Sequence, residues 1–323
     1  MSGPPPAVAA VRLAVRRSLA DLPAGAVVLV ACSGGTDSLA LAAATAFVAR
    51  SAPWRAGLVT VNHGLQPGSA AQAERVRGWA VAAGFEPVEM CRVAVGRQGG
   101  PEAAARTARY AALDAAAGRH AAAAIVLGHT LDDQAETVLL ALARGSGARS
   151  LSGMAAVRGR YRRPLLGLSR AVTSAACTGE GLQPWQDPHN GDSAYTRVRV
   201  RAVLRSLEEA APGATAGLAR SSELLRADAD ALDEAAAAAR AAVTAADGSL
   251  DCAALAELQP AVRSRVLRAA AVAAGVPGGA LGSTHVRALD DLVVSWSGQG
   301  PVSLGGGVAA FRNAGRLSWR RAG

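Results

Sequence analysis

Short apolar runs alternate with amphipathic stretches from residue 26 to about residue 140, and this alternation constrains the fold most. Runs typical of buried strands occupy residues 27–30, 58–61 and 123–127, and 87–95 is a further candidate. Helical patterns follow them over residues 38–50, 69–83 and 102–117, and again from about Leu131. The order predicts an α/β fold with a doubly wound, mostly parallel sheet and helices on both faces.

The last third of the chain has a different pattern. An alanine-rich helical segment covers residues 221–246, a second helix is expected over 258–274, and residues 301–319 indicate a terminal hairpin. A chain of 323 residues suggests about two domains at roughly 150 residues each. We therefore expect a first, α/β domain over residues 1–212 and a smaller, mainly helical domain over 213–323.

The strongest local motif is a loop between the first predicted strand and the next helix. Small residues allow the backbone to wrap around a phosphate, and the free N–H groups of a helix start favour an anion. The alternative is an ordinary glycine turn, but two serines and an aspartate make the motif more specific. The expected phosphate-binding residues are Ser33, Gly34, Gly35, Thr36, Asp37 and Ser38.

Two histidines follow other predicted strands. His63 comes after the second strand and His129 after the fourth. Ligands of open parallel sheets bind beyond the carboxyl ends of the strands. We therefore predict nucleotide contacts for both, with a hydrogen-bonded loop residue as the alternative for each.

Three carboxylates occur where the helix near Leu131 begins. Asp133 and Glu136, three apart, share a helical face, and Asp132 and Glu136, four apart, do so equally well. Mg²⁺ binds one or two carboxylates together with phosphate oxygens. The alternative is that acidic residues complement a helix N-terminus. We expect an exposed helix start, with Asp133 and Glu136 as the metal ligands.

These motifs carry a family resemblance. The loop 33–38 resembles that of the PP-loop ATP pyrophosphatases, which cleave ATP between the α and β phosphates. Segments 61–65, 128–137 and 145–147 are similar to the tRNA(Ile)-lysidine synthetase family, as are Glu102, Arg106, Arg109, Tyr110 and the stretch 197–201. The resemblance covers residues 25–205 and implies an adenine nucleotide alpha-hydrolase-like fold. Chain length is similar to the short form with one C-terminal, tRNA-binding domain.

The resemblance also implies a reaction. The family joins free L-lysine to C2 of the wobble cytidine in the CAU anticodon of tRNA(Ile), which changes codon reading from AUG to AUA. Cytidine O2 first attacks the α-phosphate of ATP, giving an adenylated base and pyrophosphate; the lysine amine then attacks C2 and expels AMP. ATP and Mg²⁺ are the implied cofactors. The loop 33–38 would hold pyrophosphate, Asp133 and Glu136 the metal, and Asp37 the metal or the lysine.

An arginine is implied to stabilise the phosphate charge that develops in this reaction. Arg106 and Arg197 are the candidates for this role. The family often has Arg-Asn-Arg-Ile-Arg where this chain has Arg-Val-Arg-Val-Arg over 197–201, so no role of the asparagine transfers to Val198.

Positive charge is the third signal. The formal net charge is +9, and the chain contains no lysine, so apart from histidine every basic side chain is an arginine. A run of positive charge without acidic residues favours a nucleic-acid backbone, with a solvated surface as the alternative. The arginines concerned are 144, 149, 158, 160, 162, 163 and 170, followed by 197, 199, 201 and 205.

Cysteine usage bears on location and on a rival function. Cys32, Cys91, Cys177 and Cys252 form no Cys-x-x-Cys pair, which favours a reducing cytoplasm and disfavours a tRNA thiolase, the alternative PP-loop enzyme. A tRNA-binding protein without activity is a second alternative.

No apolar run approaches the roughly 18 residues of a membrane span, so no membrane partner is expected. Oligomeric state is left open, with a homodimer as one alternative.

Overall fold

The computed structural model describes residues 3–64, 68–96, 100–185 and 195–321. Twelve α-helices lie in these residues: α1 Pro6–Ser18, α2 Thr36–Ala49, α3 Ser69–Ala82, α4 Pro101–Arg119, α5 Leu131–Ala143, α6 Ala148–Leu151, α7 Arg170–Gly179, α8 Thr196–Ala210, α9 Ala214–Val243, α10 Cys252–Ala256, α11 Pro260–Ala273 and α12 Ser283–Val294. Ten strands accompany them: β1 Val27–Ala31, β2 Arg55–Asn62, β3 Val88–Arg92, β4 Ala122–Leu127, β5 Val157–Arg158, β6 Tyr161–Arg162, β7 Leu250–Asp251, β8 Val302–Leu304, β9 Val308–Asn313 and β10 Arg316–Arg321.

A six-stranded sheet organises the N-terminal part, in the order β3-β2-β1-β4-β6-β5. All neighbours pair in parallel except the short antiparallel hairpin of β5 and β6. The chain moves outward from β1 to β3 and then returns to place β4 on the other side of β1. The carboxyl ends of β1 and β4 therefore meet at the point where the strand order reverses, which is the usual ligand position in such sheets.

Alternation along β1 explains why helices cover both faces. Val28 and Val30 pack into one core with apolar residues of α1, α2, α3 and α7, whereas Val27 and Leu29 pack into another with Leu113 of α4. Successive strand residues point to opposite faces, so an uninterrupted apolar run requires cover on each side. The predicted doubly wound α/β sheet is confirmed.

The chain divides into two compact units, residues 1–224 and 225–323. The division lies within α9, and the functional boundary that we expected near residue 212 stays a prediction. The second unit has its own core, in which Leu267, Leu289 and Leu317 are fully buried. It combines helices with a four-stranded antiparallel sheet in the order β7-β10-β9-β8. The expected hairpin corresponds to β9 and β10, and β8 and β7 extend it on either side.

Most segments expected from the sequence occur within a few residues of their predicted bounds. The elements that were not anticipated include α1, α6, the hairpin of β5 and β6, α7, α10 and α12. The stretch 197–201, whose spacing fitted a strand or a helical face, is helical in α8. Leu65 of the family segment 61–65 lies outside the described residues. Within the described ranges, no helix is both long and apolar enough to cross a membrane.

Candidate active site

The loop between β1 and α2 is organised by its own hydroxyl groups. The backbone N–H of Ser33 donates to Ser38 Oγ at 3.2 Å, and Ser38 Oγ donates to the carbonyl of Gly35 at 2.9 Å. The Oγ atoms of Ser33 and Ser38 lie 3.2 Å apart. Gly35 is the N-cap of α2 and has no side chain to occupy the first N–H groups of the helix. Those donors are therefore available to an anion.

Two glycines are required by close packing around this loop. Gly34 has φ of +84°, and a Cβ there would lie 2.1 Å from Gln72 Nε2. A Cβ on Gly128, just after β4, would lie 3.1 Å from the backbone of Asp37 and Ser38. The carboxyl end of β4 thus approaches the start of α2 so closely that only glycine fits without displacement.

A cavity of about 590 Å³ opens above the loop. The loop residues Cys32, Ser33 and Gly35 to Ser38 line it, and the ends of β2 and β4 contribute His63 and His129. Four arginines from three helices line the rest: Arg109, Arg170, Arg197 and Arg201. The N–H and hydroxyl donors of the loop and the four guanidinium groups together suit a highly charged anion. We call this cavity the loop pocket.

Asp37 is the carboxylate that lines the loop pocket. Thr173 Oγ1 donates to its Oδ1, and Arg170 Nε lies 3.7 Å from its Oδ2. Burial raises the pKa of Asp37, and the Thr173 hydrogen bond and the Arg170 charge only partly oppose that rise. The fold therefore holds an acidic group where its charge is costly, as functional sites often do.

Asp133 and Glu136 of α5 lie close behind two of the pocket arginines. Arg170 Nη2 lies 3.0 Å from Asp133 Oδ1 and 3.2 Å from Glu136 Oε1. Arg201 Nε donates to Glu136 Oε1 at 2.7 Å, and its Nη2 is 3.8 Å from Asp133. Although burial opposes its charge, the surrounding carboxylates raise the pKa of Arg170. The two carboxylates that were expected to act together share the same arginine partners.

The expectation that this helix start is exposed is wrong. Asp133 is 8% exposed and Glu136 is 2% exposed, because the guanidinium groups of Arg170 and Arg201 cover them. Asp133 also forms a capping box with Thr130, whose backbone N–H donates to Asp133 Oδ2 at 2.9 Å. Helix capping and the candidate site function therefore coexist in one side chain, rather than excluding each other.

The same packing corrects the expectation that seven arginines between residues 144 and 170 are uncompensated. Arg162 pairs with Asp21 and donates to the carbonyl of Ser18. Arg163 is 6% exposed and donates to the carbonyl of Ala155 at 2.8 Å. With Arg170 held by carboxylates, at least three of the seven have internal partners.

Comparisons with known proteins decide the family. A family model described as a PP-loop domain matches residues 11–207, and one described as the TilS substrate binding domain matches residues 250–318. A tRNA(Ile)-lysidine synthase of Thermobifida fusca is 58% identical, with 98% of each chain covered. That of Streptomyces coelicolor is 54% identical over 99% of each chain. The chain belongs to the tRNA(Ile)-lysidine synthase family.

Membership of the tRNA(Ile)-lysidine synthase family confirms the resemblance carried by the sequence motifs, and makes the chain an enzyme with a PP-loop ATP-binding domain. A solved structure, the U34-tRNA thiolase NcsA of Methanococcus maripaludis, has a TM-score of 0.59 and 18% identity. It covers 68% of this chain and 80% of its own. At that identity the similarity concerns the fold alone.

Among the residues expected from the lysidine synthase motifs, most line the loop pocket or adjoin it. Arg197 lines the pocket, and its Nε lies 3.2 Å from Glu102. Arg106 instead faces a neighbouring cavity, where its Nη2 donates to the Tyr110 hydroxyl at 3.3 Å. Sequence reasoning missed Thr173 and the site role of Arg170, since neither belongs to the motifs that carried the resemblance.

His129 lies at the pocket wall with an unusual electrostatic setting. Its Nδ1 is buried and has no hydrogen-bond partner among the described residues. Burial, reinforced by Arg109 and Arg163, lowers the pKa of His129 to about 3, and the charge of Asp133 only partly opposes this. The ring is therefore neutral near pH 7 and presents a buried nitrogen for a ligand to satisfy.

Proposed function

We propose that this chain joins free L-lysine to C2 of the wobble cytidine of tRNA(Ile) with a CAU anticodon, at the expense of ATP. The observation that carries the proposal is the loop pocket. It combines a phosphate-binding loop at a helix start with four arginines and a buried acidic group in one cavity. The high identity to tRNA(Ile)-lysidine synthases along the full chain supports this function over tRNA thiolation.

In the proposed first step, cytidine O2 attacks the α-phosphate of ATP and pyrophosphate leaves. The N–H groups at the start of α2 and the hydroxyls of Ser33 and Ser38 would hold the departing pyrophosphate. Arg170 and Arg201 would stabilise the charge that develops on the phosphates, because the carboxylates behind them fix their position. Arg197 would contribute from the same helix as Arg201, with Arg106 acting from the neighbouring cavity.

In the second step, the uncharged amine of lysine attacks C2 and AMP leaves with the former O2. Three carboxylates are candidates for holding the lysine amine as it enters: Asp37, Asp133 and Glu136. Asp37 lines the pocket directly, whereas Asp133 and Glu136 contact the pocket arginines Arg170 and Arg201. His63 and His129 would contact the nucleotide from the strand ends.

Mg²⁺ is the proposed metal, and one observation supports its fit. Glu136 Oε2 is buried and has no hydrogen-bond partner among the described residues. Glu136 with Asp133 would hold the ion, whose chemistry is to neutralise phosphate charge. A cytoplasmic location is also proposed. All four cysteines are free and buried, which is consistent with a reducing compartment.

The experiment is incorporation of labelled lysine into tRNA(Ile) transcripts with CAU or with a changed wobble base. We expect ATP-dependent incorporation into the CAU transcript only, with one AMP and one pyrophosphate released per lysine. Omission of Mg²⁺ should abolish it. Transfer of sulfur instead of lysine, or binding of tRNA without pyrophosphate release, would overturn the proposal in favour of the two alternatives.

A further inference from the structure

A second cavity, of about 540 Å³, lies on the neighbouring face of α4. Arg109 and Leu113 of this helix line the loop pocket, whereas Arg106, Tyr110 and Asp114 line the second cavity. Helical residues four apart share a face, so one helix serves both cavities. The opposite wall comes from the hairpin of β5 and β6. We call this cavity the tyrosine pocket.

Two tyrosines with tilted ring planes form the aromatic wall of the tyrosine pocket. The rings of Tyr110 and Tyr161 have centroids 5.0 Å apart with planes tilted by 60°. Tyr161 donates its hydroxyl to the backbone carbonyl of Tyr110 at 3.4 Å. The Arg106 guanidinium carbon lies 4.9 Å from the centre of the Tyr110 ring. Nucleic-acid bases stack on both kinds of planar group.

Positive charge dominates the same cavity. Arg106, Arg158, Arg160 and Arg163 line it, against the single carboxylate of Asp114. Arg158 and Arg160 are exposed on either side of Gly159, and neither takes part in an ion pair within the described ranges. Burial and the charges of Arg197 and Arg163 lower the pKa of Arg106, so its positive charge is costly without a ligand. Such a cluster becomes favourable when an anion enters.

We propose that the tyrosine pocket binds one nucleotide of the RNA substrate, close to the base that reacts in the loop pocket. The base would pack against Tyr110 and Tyr161, and Arg158 and Arg160 would hold its phosphate. Asp114 would accept a hydrogen bond from an amino group of that base, since carboxylates accept from such groups. That the RNA is tRNA(Ile) rests on the proposed function. That the pocket suits a nucleotide rests on its aromatic and charged side chains alone.

The phosphate contact is tested by tRNA binding across a range of salt concentrations. We expect Arg158→Gln with Arg160→Gln to weaken binding and to reduce the slope of log affinity against log salt by about 0.7 for each lost contact with single-stranded RNA. Arg16→Gln with Arg17→Gln is the matched control, because these neighbours on α1 are also exposed and lie outside both pockets. An unchanged slope in the pocket variant would overturn the phosphate contact.

The base contact is tested with anticodon stem-loops that each carry one replaced loop nucleotide. We expect the unmodified protein to prefer an amino-bearing base at one loop position by roughly tenfold, within the usual range for one base contact. Asp114→Ala should remove that preference while the tRNA affinity of the other stem-loops stays within a few-fold. Asp114 is exposed on α4, so the substitution removes its interaction with the Tyr161 hydroxyl but no buried packing. If every positional preference persists in the variant, Asp114 does not read a base.

Cross-linking separates an RNA nucleotide from free ATP as the occupant. Ultraviolet irradiation of the full-length protein with tRNA, followed by digestion and mass spectrometry, should give a nucleotide adduct on Tyr110 or Tyr161. ATP alone should give none there, and an adduct only with ATP would overturn the proposal. Lysine incorporation by the unmodified protein is measured in parallel. If the protein incorporates no lysine but the adducts and salt slopes are as expected, the proposed lysine ligation is wrong and the proposed nucleotide-binding pocket stands.

Discussion

Arg201 Nε lies 2.7 Å from Glu136 Oε1, so a guanidinium group on α8 holds a carboxylate on α5 that is only 2% exposed. Arg170 at the start of α7 approaches the same oxygen at 3.2 Å. Two elements that are distant in sequence therefore neutralise one buried charge. The arginines face the loop pocket on their other side, which couples the stability of the N-terminal unit to its ligand site.

Glu136→Gln should destabilise the protein and abolish turnover together. The variant removes one of the two carboxylates that Arg170 and Arg201 share and leaves them Asp133. We expect a loss of about 1–3 kcal/mol in the free energy of unfolding. The lower half of that range is expected, because both arginine side chains are about one-third exposed. Urea unfolding measures it, with Glu209→Gln on an exposed part of α8 as control. Equal midpoints for the two variants would contradict the ion-pair arrangement.

Asp37→Asn should abolish adenylation without loss of stability near neutral pH. Burial raises the pKa of Asp37, so between the unfolded value near 3.8 and the higher folded value the native state binds more protons than the unfolded state. Stability contributed by the protonated form is complete below pH 3.8 and is lost as pH rises through the folded pKa. Melting temperatures of variant and unmodified protein, compared across pH, should diverge in favour of Asp37→Asn as pH rises. A constant difference would contradict the raised pKa.

Gly128→Ala should impair ATP-dependent turnover far more than it affects folding. The added Cβ would meet the backbone of Asp37 and Ser38 at 3.1 Å, so the loop must shift by a few tenths of an ångström. Because catalysis depends on the placement of phosphate donors, we expect at least a tenfold loss of turnover. Gly78→Ala on α3 is the control, since its Cβ would meet nothing within 4 Å. Activity comparable to that of the control would show that the loop tolerates displacement.

His129→Gln should reduce the loss of thermal stability that accompanies a fall in pH below 7. The pKa of His129 lies at about 3 in the folded protein and near 6.5 when unfolded, so the unfolded state binds an additional proton between these values. This contribution to stability is complete above pH 6.5 and is lost as pH falls towards 3. Melting temperatures measured from pH 7 to pH 4 should fall less in the variant. His285→Gln, on α12 of the other unit, is the control.

The conformation of the loop between β1 and α2 was predictable from the sequence because its determinants are local. A strand, a small-residue turn and a helix start are encoded within a dozen residues, and Gly34 and Asp37 lie at the positions that this pattern requires. The sheet could be predicted for the same reason, since each buried strand is recorded in its own apolar run. Because both histidines follow strands of the same parallel sheet, the sequence was enough to predict that His63 and His129 line one pocket.

The charge pairing could not be predicted, because it depends on packing between distant segments. Arg162 meets Asp21, and Arg170 meets Asp133, across separations that composition and spacing do not record. The sequence presented Arg162 and Arg170 as members of a basic run, and only the fold reveals their partners. Burial of Glu136 has the same origin, since α7 and α8 cover a helix start that local reasoning treats as exposed.

Apart from His63 and His129, the basic side chains that line the loop pocket are all arginines, and the whole chain contains no lysine. A guanidinium group stays protonated at any physiological pH, whereas a side-chain amine shifted by its surroundings becomes a nucleophile. In the proposed reaction the adenylated base is the electrophile, and the amine of free lysine is the nucleophile that attacks it. The arginines around it offer positive charge without a side-chain amine of the protein that would compete with the incoming lysine.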